Sequence, residues 1–328
     1  LSTAVQLLAG AKILAAVTGW PFWALTVVLA AIAFSYSQYS GIKASVLTDA
    51  LQMVIMLACC ALLVPWAISG DTGLSSLVTG LAGHSGEYTS LFNEKGLEVL
   101  LAFGVPTAVG LIAAPFGDQC FWQRAFSIRK NKIGRAFQLG ALFFAVVPLS
   151  MGVLGFIAAG SGYVAQDAGM VNFELVSSLF PGWVMLPFLF MVISGLLSTT
   201  DSNLCAVASL TSDFGGGMRA AKGSMLALLV LAIGIANIPG LAVTDLFLVY
   251  GALRATTMLP TVLTLKGKSL SAGGVTAGIA ASLVIGMPIF IIGTITGSAA
   301  MKTAGSLCAL LLSGAVCLAA APRKGAMV

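Results

Sequence analysis

In a chain of 328 residues, 59% are hydrophobic and 8% charged, with a mean hydropathy of +1.03; a water-soluble domain of this length needs far more polar surface. The net charge of +5 reflects 16 Lys and Arg against 11 Asp and Glu, but the basic residues lie in short stretches between apolar runs, without the aromatic-interleaved patch of a nucleic-acid binder. No HExxH or GxSxG is present, and the single His84 stands in a loop with no Cys, Asp or second His nearby, so no motif supports an enzyme or a metal centre of that type.

Apolar runs bounded by Gly, Pro or charge predict ten spans in chain order: 2–18, 21–38, 46–69, 97–123, 136–160, 183–212, 223–240, 243–265, 272–297 and 300–321. Each is near the length that crosses about 30 Å of hydrocarbon. The chain begins at Leu1 without a basic leader, so its start reads as truncated. If the first span runs outward, the inner loops collect Lys43, the Arg124, Arg129, Lys130, Lys132 and Arg135 cluster, Arg219, Lys222, Lys266, Lys268, Arg323 and Lys324. The positive-inside bias favours that orientation and a cytoplasmic C-terminus. The outer loops 70–96 and 161–182 then carry Gly, Ser and acids, and are expected to cap an outer vestibule. The six cysteines fall in or beside apolar runs, without metal spacing, and read as small apolar filler.

Polar groups at bilayer depth cost about 2.5–3.5 kcal/mol each on insertion scales, so they should face the bundle interior or a wet cavity. The richest group is Ser194 to Asn203 on the sixth span. On a helix Gly195, Ser198, Thr199 and Ser202 fall at i, i+3, i+4 and i+7, forming one stripe of hydroxyls beside an open carbonyl. Such a stripe suits a hard cation, and equally suits close helix packing; the carboxylate of Asp201 favours the cation. Asp49, at the mouth of the third span, is either an acid answering a helix dipole or a second member of that site. Pro106, then Pro115 and Gly117, predict a broken or kinked fourth helix ending near Asp118, and broken membrane helices line substrate sites. Arg254, inside the eighth span, is either the partner of an acid or an interfacial anchor.

Three stretches together resemble the sodium/solute symporter family: Tyr39 to Gln52 resembles its YxGGxxAxxxTDxxQ segment, Asp118 to Arg124 its QxxxQR helix end, and Ser198 to Asp213 its STxDSxLxxxSSxxxxD signature. The resemblance implies an all-α polytopic membrane protein with a LeuT-type inverted-repeat bundle. It further implies a single transmembrane domain over 1–328, with core helices three to ten at about 2–265, accessory helices at about 272–321, and core helices one and two absent. The family's sodium site maps onto Gly195, Ser198 and Thr199. A second sodium site, found in some members, maps onto Asp49, Ser198, Asp201 and Ser202. Solute positions map onto Ser2, Leu111, Ala114, Pro115 and Gln119.

The expected function is therefore sodium-coupled uptake of a small polar solute such as urea, proline, a polyamine or an organic acid across the cytoplasmic membrane. Na+ is the coupling ion, the lipid bilayer the surroundings, and no organic cofactor, nucleic acid or obligate protein partner is implied. Alternatives within the same fold are a proton-coupled carrier using Asp49 or Asp201, and a sensor that has lost transport.

Overall fold

The computed structural model describes residues 1–83, 86–87, 92–165 and 167–321, with backbone alone at 39–41 and 44. His84, Arg323 and Lys324 lie outside the described residues. The helices in chain order are α1 (Ser2–Thr18), α2 (Phe22–Ser69), α3 (Gly73–Gly80), α4 (Glu94–Val99), α5 (Val105–Gly117), α6 (Gln119–Ser127), α7 (Ile133–Gly160), α8 (Val171–Leu179), α9 (Met185–Asp213), α10 (Met218–Ala236), α11 (Val243–Leu265), α12 (Ala272–Ala281), α13 (Met287–Ile295) and α14 (Ala299–Ala319).

Among the described residues, eight helical runs are long and apolar enough to span a membrane, from Ser45–Ser69 to Ala299–Ala319. This is a multi-pass membrane protein, because only helices that satisfy their own backbone can repeat in hydrocarbon this way. The first two expected spans differ from the rest: Ser2–Thr18 and Phe22–Gln38 meet at a 120° bend. Gly19 makes that turn in the left-handed region, at φ 69, and Pro21 follows it. The loop expected between 38 and 46 is instead helical, since α2 runs unbroken to Ser69; no proline falls between 38 and 46. The loops expected at 70–96 and 161–182 hold short helices of their own, α3 and α8.

Two spans contain a wide π-type turn, Leu100–Gly104 and Ser282–Gly286. In both, a proline stands two residues beyond the turn, Pro106 and Pro288. A proline inside a helix lacks an N–H and collides with the carbonyl four residues back, here those of Ala102 and Val284. Widening the turn relieves that collision without ending the helix.

The chain folds into two compact units. The first comprises Leu1–Thr89 and Gln123–Val243. Its core gathers Cys60 and Leu63 of α2, Leu154 and Ile157 of α7, Val176 of α8 and Phe188 of α9, with Trp66 edge-on to Phe180 at 5.1 Å. Helix α3 lies directly on α7, where a Cβ at Gly160 would come within 2.6 Å of the Gly80 nitrogen. Lys12 of α1 reaches Asp167 at 2.6 Å, and Asp167 also accepts from the Gly169 N–H at 2.8 Å. The Lys12 hydrogen bond, then that of Gly169, holds the Asp167 carboxyl below the usual carboxylate range.

The second unit comprises Ser90–Trp122 and Thr244–Val328. Helices α5 and α11 cross at glycine: a Cβ on Gly110 would lie 2.6 Å from the Gly251 Cα, and one on Gly117 would lie 2.9 Å from the Arg254 carbonyl. The span α12–α13 packs on α14 in the same manner, with Gly286 against Ala309 and Gly278 against Ser313. Small residues allow this backbone approach, which drives helix association where lipid offers no hydrophobic gain. All six cysteines are free, and all but Cys308 are buried, in keeping with their reading as filler.

Gly110→Ala is expected to destabilise the protein by about 1–3 kcal/mol through overpacking, seen as an earlier midpoint in an SDS titration from mixed micelles. Gly234→Ala, where a Cβ meets nothing within 4 Å, should not. Because the folded Asp167 pKa is depressed, its pair with Lys12 stabilises the fold above the unfolded carboxylate value of about 3.9. That stabilisation is lost as pH falls through the lower folded value. Asp167→Asn should lower the unfolding midpoint at pH 7, with the difference from wild type shrinking below about pH 4.

Candidate functional site

The polar segment of α9 divides its side chains among four directions. Thr199 Oγ1 turns back to the Gly195 carbonyl, 3.3 Å away, and Gly195, Ser198 and Thr199 are all only partly covered. Gly195 faces Met56 of α2, whose sulfur would lie 3.3 Å from an added Cβ. Ser198 and Ser202, one turn apart, face Asp49 and Arg124. Asp201 faces away from them.

Asp49 sits at the centre of a closed ring. Ser198 Oγ donates to its Oδ1, and Arg124 Nη2 donates to its Oδ2 at 2.5 Å. The same Nη2 donates to Ser202 Oγ at 2.6 Å, and Ser202 Oγ donates onward to the Ser198 carbonyl at 2.8 Å. Beside Arg124, Gln123 Nε2 donates to the Ser202 carbonyl at 3.2 Å. Consecutive residues near the end of α6 thus fasten it to α9, and Arg124 also ties it to α2.

Of the four residues expected to form a second cation site, the ring contains three. Asp201 is fully buried but turned elsewhere: its Oδ1 accepts from Ser37 Oγ at 2.7 Å and from Cys205 Sγ at 3.6 Å. Its Oδ2 has no hydrogen-bond partner among the described residues. Asn203 completes the segment by donating to Ser2 and Thr3 at the start of α1, 3.1 Å to each hydroxyl.

Sequence reasoning placed Arg124 only as a topology marker and the end of the QxxxQR motif. The signal that could have found it is Asp49 itself, since a carboxylate inside a span requires a counter-charge. Asn203 was read only as part of the polar segment and Ser37 was not singled out, because neither residue's contact across to another helix has a distinctive spacing.

In the second unit the fourth span breaks as expected, at Asp118, which is extended with φ −114 and ψ 118. Asp118 uses both oxygens: Oδ1 accepts the Cys120 N–H at 3.2 Å and so caps the following helix. Oδ2 accepts from Tyr250 Oη at 2.7 Å and from Arg254 Nη2 at 2.6 Å. The Arg254 guanidinium lies 3.8 Å over the Tyr250 ring. Arg254 is therefore the partner of an acid.

The expected solute residues differ in their surroundings. Ala114 is 5% exposed, on the packed side of α5 with Gly110 and Gly117; Pro115 is exposed, and Leu111 lines a narrow cleft with Thr107, Gly251 and Arg254. Thr107 Oγ1 and Arg254 Nε, both on that cleft, are buried without partners among the described residues, but as it stands the cleft is too tight for a water molecule. Gln119 is half-buried in the first turn of α6, and Ser2 belongs to the first unit and is engaged by Asn203.

A family model for the sodium:solute symporter family matches residues 1–224. The chain is also similar to the urea-proton symporter DUR3 of Oryza sativa subsp. japonica, 23% identical over 380 aligned residues that cover 96% of the chain. It spans about half (51%) of that relative's length.

Arg254→Ala should leave Asp118 an uncompensated buried charge, as the two side chains are 15% and 13% exposed, and cost about 3–5 kcal/mol of stability. The double replacement Asp118→Asn with Arg254→Gln removes both charges and should cost less than the single change, measured by SDS titration.

Proposed function

The chain belongs to the sodium:solute symporter family, and on that premise we propose that it takes part in sodium-coupled import of a small polar solute. The ion binds at the Gly195 carbonyl with the Ser198 and Thr199 hydroxyls. Our reading places α9 in a cytoplasmic membrane with the Arg124 to Arg135 loop inside, as the charge bias favours. Urea is the first solute to test, because the rice relative is named for it.

The observation that carries the reading is the 3.3 Å separation of the Gly195 carbonyl and the Thr199 hydroxyl on a partly covered face of α9. Two oxygens so spaced can both lie about 2.3–2.6 Å from one cation, the oxygen distances of an ion of this size. Ser198 spends its proton on Asp49, and its oxygen keeps lone pairs for a cation. The donor set is all oxygen and carries no fixed positive charge. Sodium binding there would favour one state of an alternating-access cycle, and the ion gradient would supply the work.

A second reading, proton coupling, is favoured by Asp201, fully buried with one oxygen unpartnered among the described residues, and by the name of the rice relative.

The test is solute uptake into vesicles holding the full-length protein, with Na+ replaced by choline at fixed pH. Sodium coupling predicts that uptake collapses in choline. It also predicts that Thr199→Ala raises the Na+ concentration for half-maximal uptake about tenfold, the loss of one oxygen contact. Uptake indifferent to Na+ but driven by an inward proton gradient, and abolished in Asp201→Asn, would establish the second reading instead.

A further inference from the structure

We propose that Arg124 is the resident cation of the second site, so that this protein binds one sodium ion where its signature residues suggest two. The inference deepens the sodium reading above and rests on it for the first ion only.

The geometry points to Arg124 because a single nitrogen, Nη2, lies 2.5 Å from Asp49 Oδ2 and 2.6 Å from Ser202 Oγ. Those are two of the oxygens that a second ion would need. The other Asp49 oxygen is taken by Ser198 Oγ, and the Ser202 hydroxyl proton by the Ser198 carbonyl. Both Asp49 oxygens and both serine hydroxyl protons thus have partners within the ring. Asp201, the fourth expected ligand, is directed to Ser37 and Cys205 instead.

A guanidinium is never deprotonated in proteins, and its fork matches a carboxylate and a hydroxyl together. Tethered to α6, it neutralises Asp49 at any sodium concentration. A sodium ion entering the ring would have to displace it, or place two positive charges within a few ångströms in a partly desolvated site. The side chains of Arg124 and Asp49 are 31% and 22% exposed, too covered for water to screen that repulsion fully. The first site differs in that no cationic side chain contacts Gly195 or Thr199 among the described residues.

The test counts bound radioactive sodium at saturation on the purified full-length protein in lipid nanodiscs, for wild type, Asp49→Asn, Arg124→Gln and the double variant. Wild type should hold one ion, and Asp49→Asn should hold the same number, since its amide oxygen still accepts from Ser198. Arg124→Gln should gain one ion, and the double variant should lose that gain.

A wild type that binds two ions, or Asp49→Asn binding one fewer than wild type, overturns the proposal. So does Arg124→Gln folding normally with no added ion; if that variant fails to fold, the ion count of Asp49→Asn against wild type decides between the two outcomes. The result for the first site is read separately: a wild type that binds no sodium refutes the sodium reading, while Arg124→Gln then binding one ion still upholds the role of Arg124.

Discussion

A carboxylate inside an apolar helical protein must find a positive charge or give up its own, and that requirement organises both units of this chain. Desolvating the anion costs more than any single packing contact returns. Asp49 is answered by Arg124 and Asp118 by Arg254, while at the protein's edge Asp167 is answered by Lys12. Each pair joins segments far apart in sequence: α2 to α6, the helix break to α11, α1 to the turn before α8. Asp201 is the exception, buried on hydroxyl and thiol donors alone.

The spans were legible in the sequence because hydrophobic length is a one-dimensional property. From Ser45 to Ala319 the expected segments recur as helices to within a few residues, the loops at Asp118 and after Ser69 included. What the pattern did not show was set by local backbone chemistry: α2 continues through 39–45, and the break expected between 18 and 21 is a 120° bend at Gly19. The stripe of Gly195, Ser198, Thr199 and Ser202 was legible as a helical face, but which neighbour each residue meets was not. Ser202 and Ser198 turn to Asp49 and Arg124, whereas Thr199 turns back to its own helix. Such choices depend on residues 75 or more positions away, and a single sequence carries no periodic trace of them.

The same limit explains Ala114. The family resemblance made it a candidate for solute contact, and it lies on the same face of α5 as Gly110 and Gly117, where α11 approaches. Small residues at a break serve backbone approach as readily as they serve a ligand. Among the described residues, the groups in that region with unmet hydrogen-bonding capacity are Thr107 Oγ1 and Arg254 Nε; the sequence marked Arg254 but not Thr107.

The widened turns before Pro106 and Pro288 alter how these spans must be aligned. Each inserts an extra residue into the α-helical register, and one residue of an α-helix corresponds to about 100° of rotation. The stripe ahead of Leu100 and the stripe beyond Gly104 are thus out of phase, and a periodicity averaged over the whole span blurs both. Removing one residue between Leu100 and Gly104 would swing Gly110 off Gly251 and present a bulkier neighbour to α11. Alignments of this span to relatives without the insertion will be offset by one on one side of the turn.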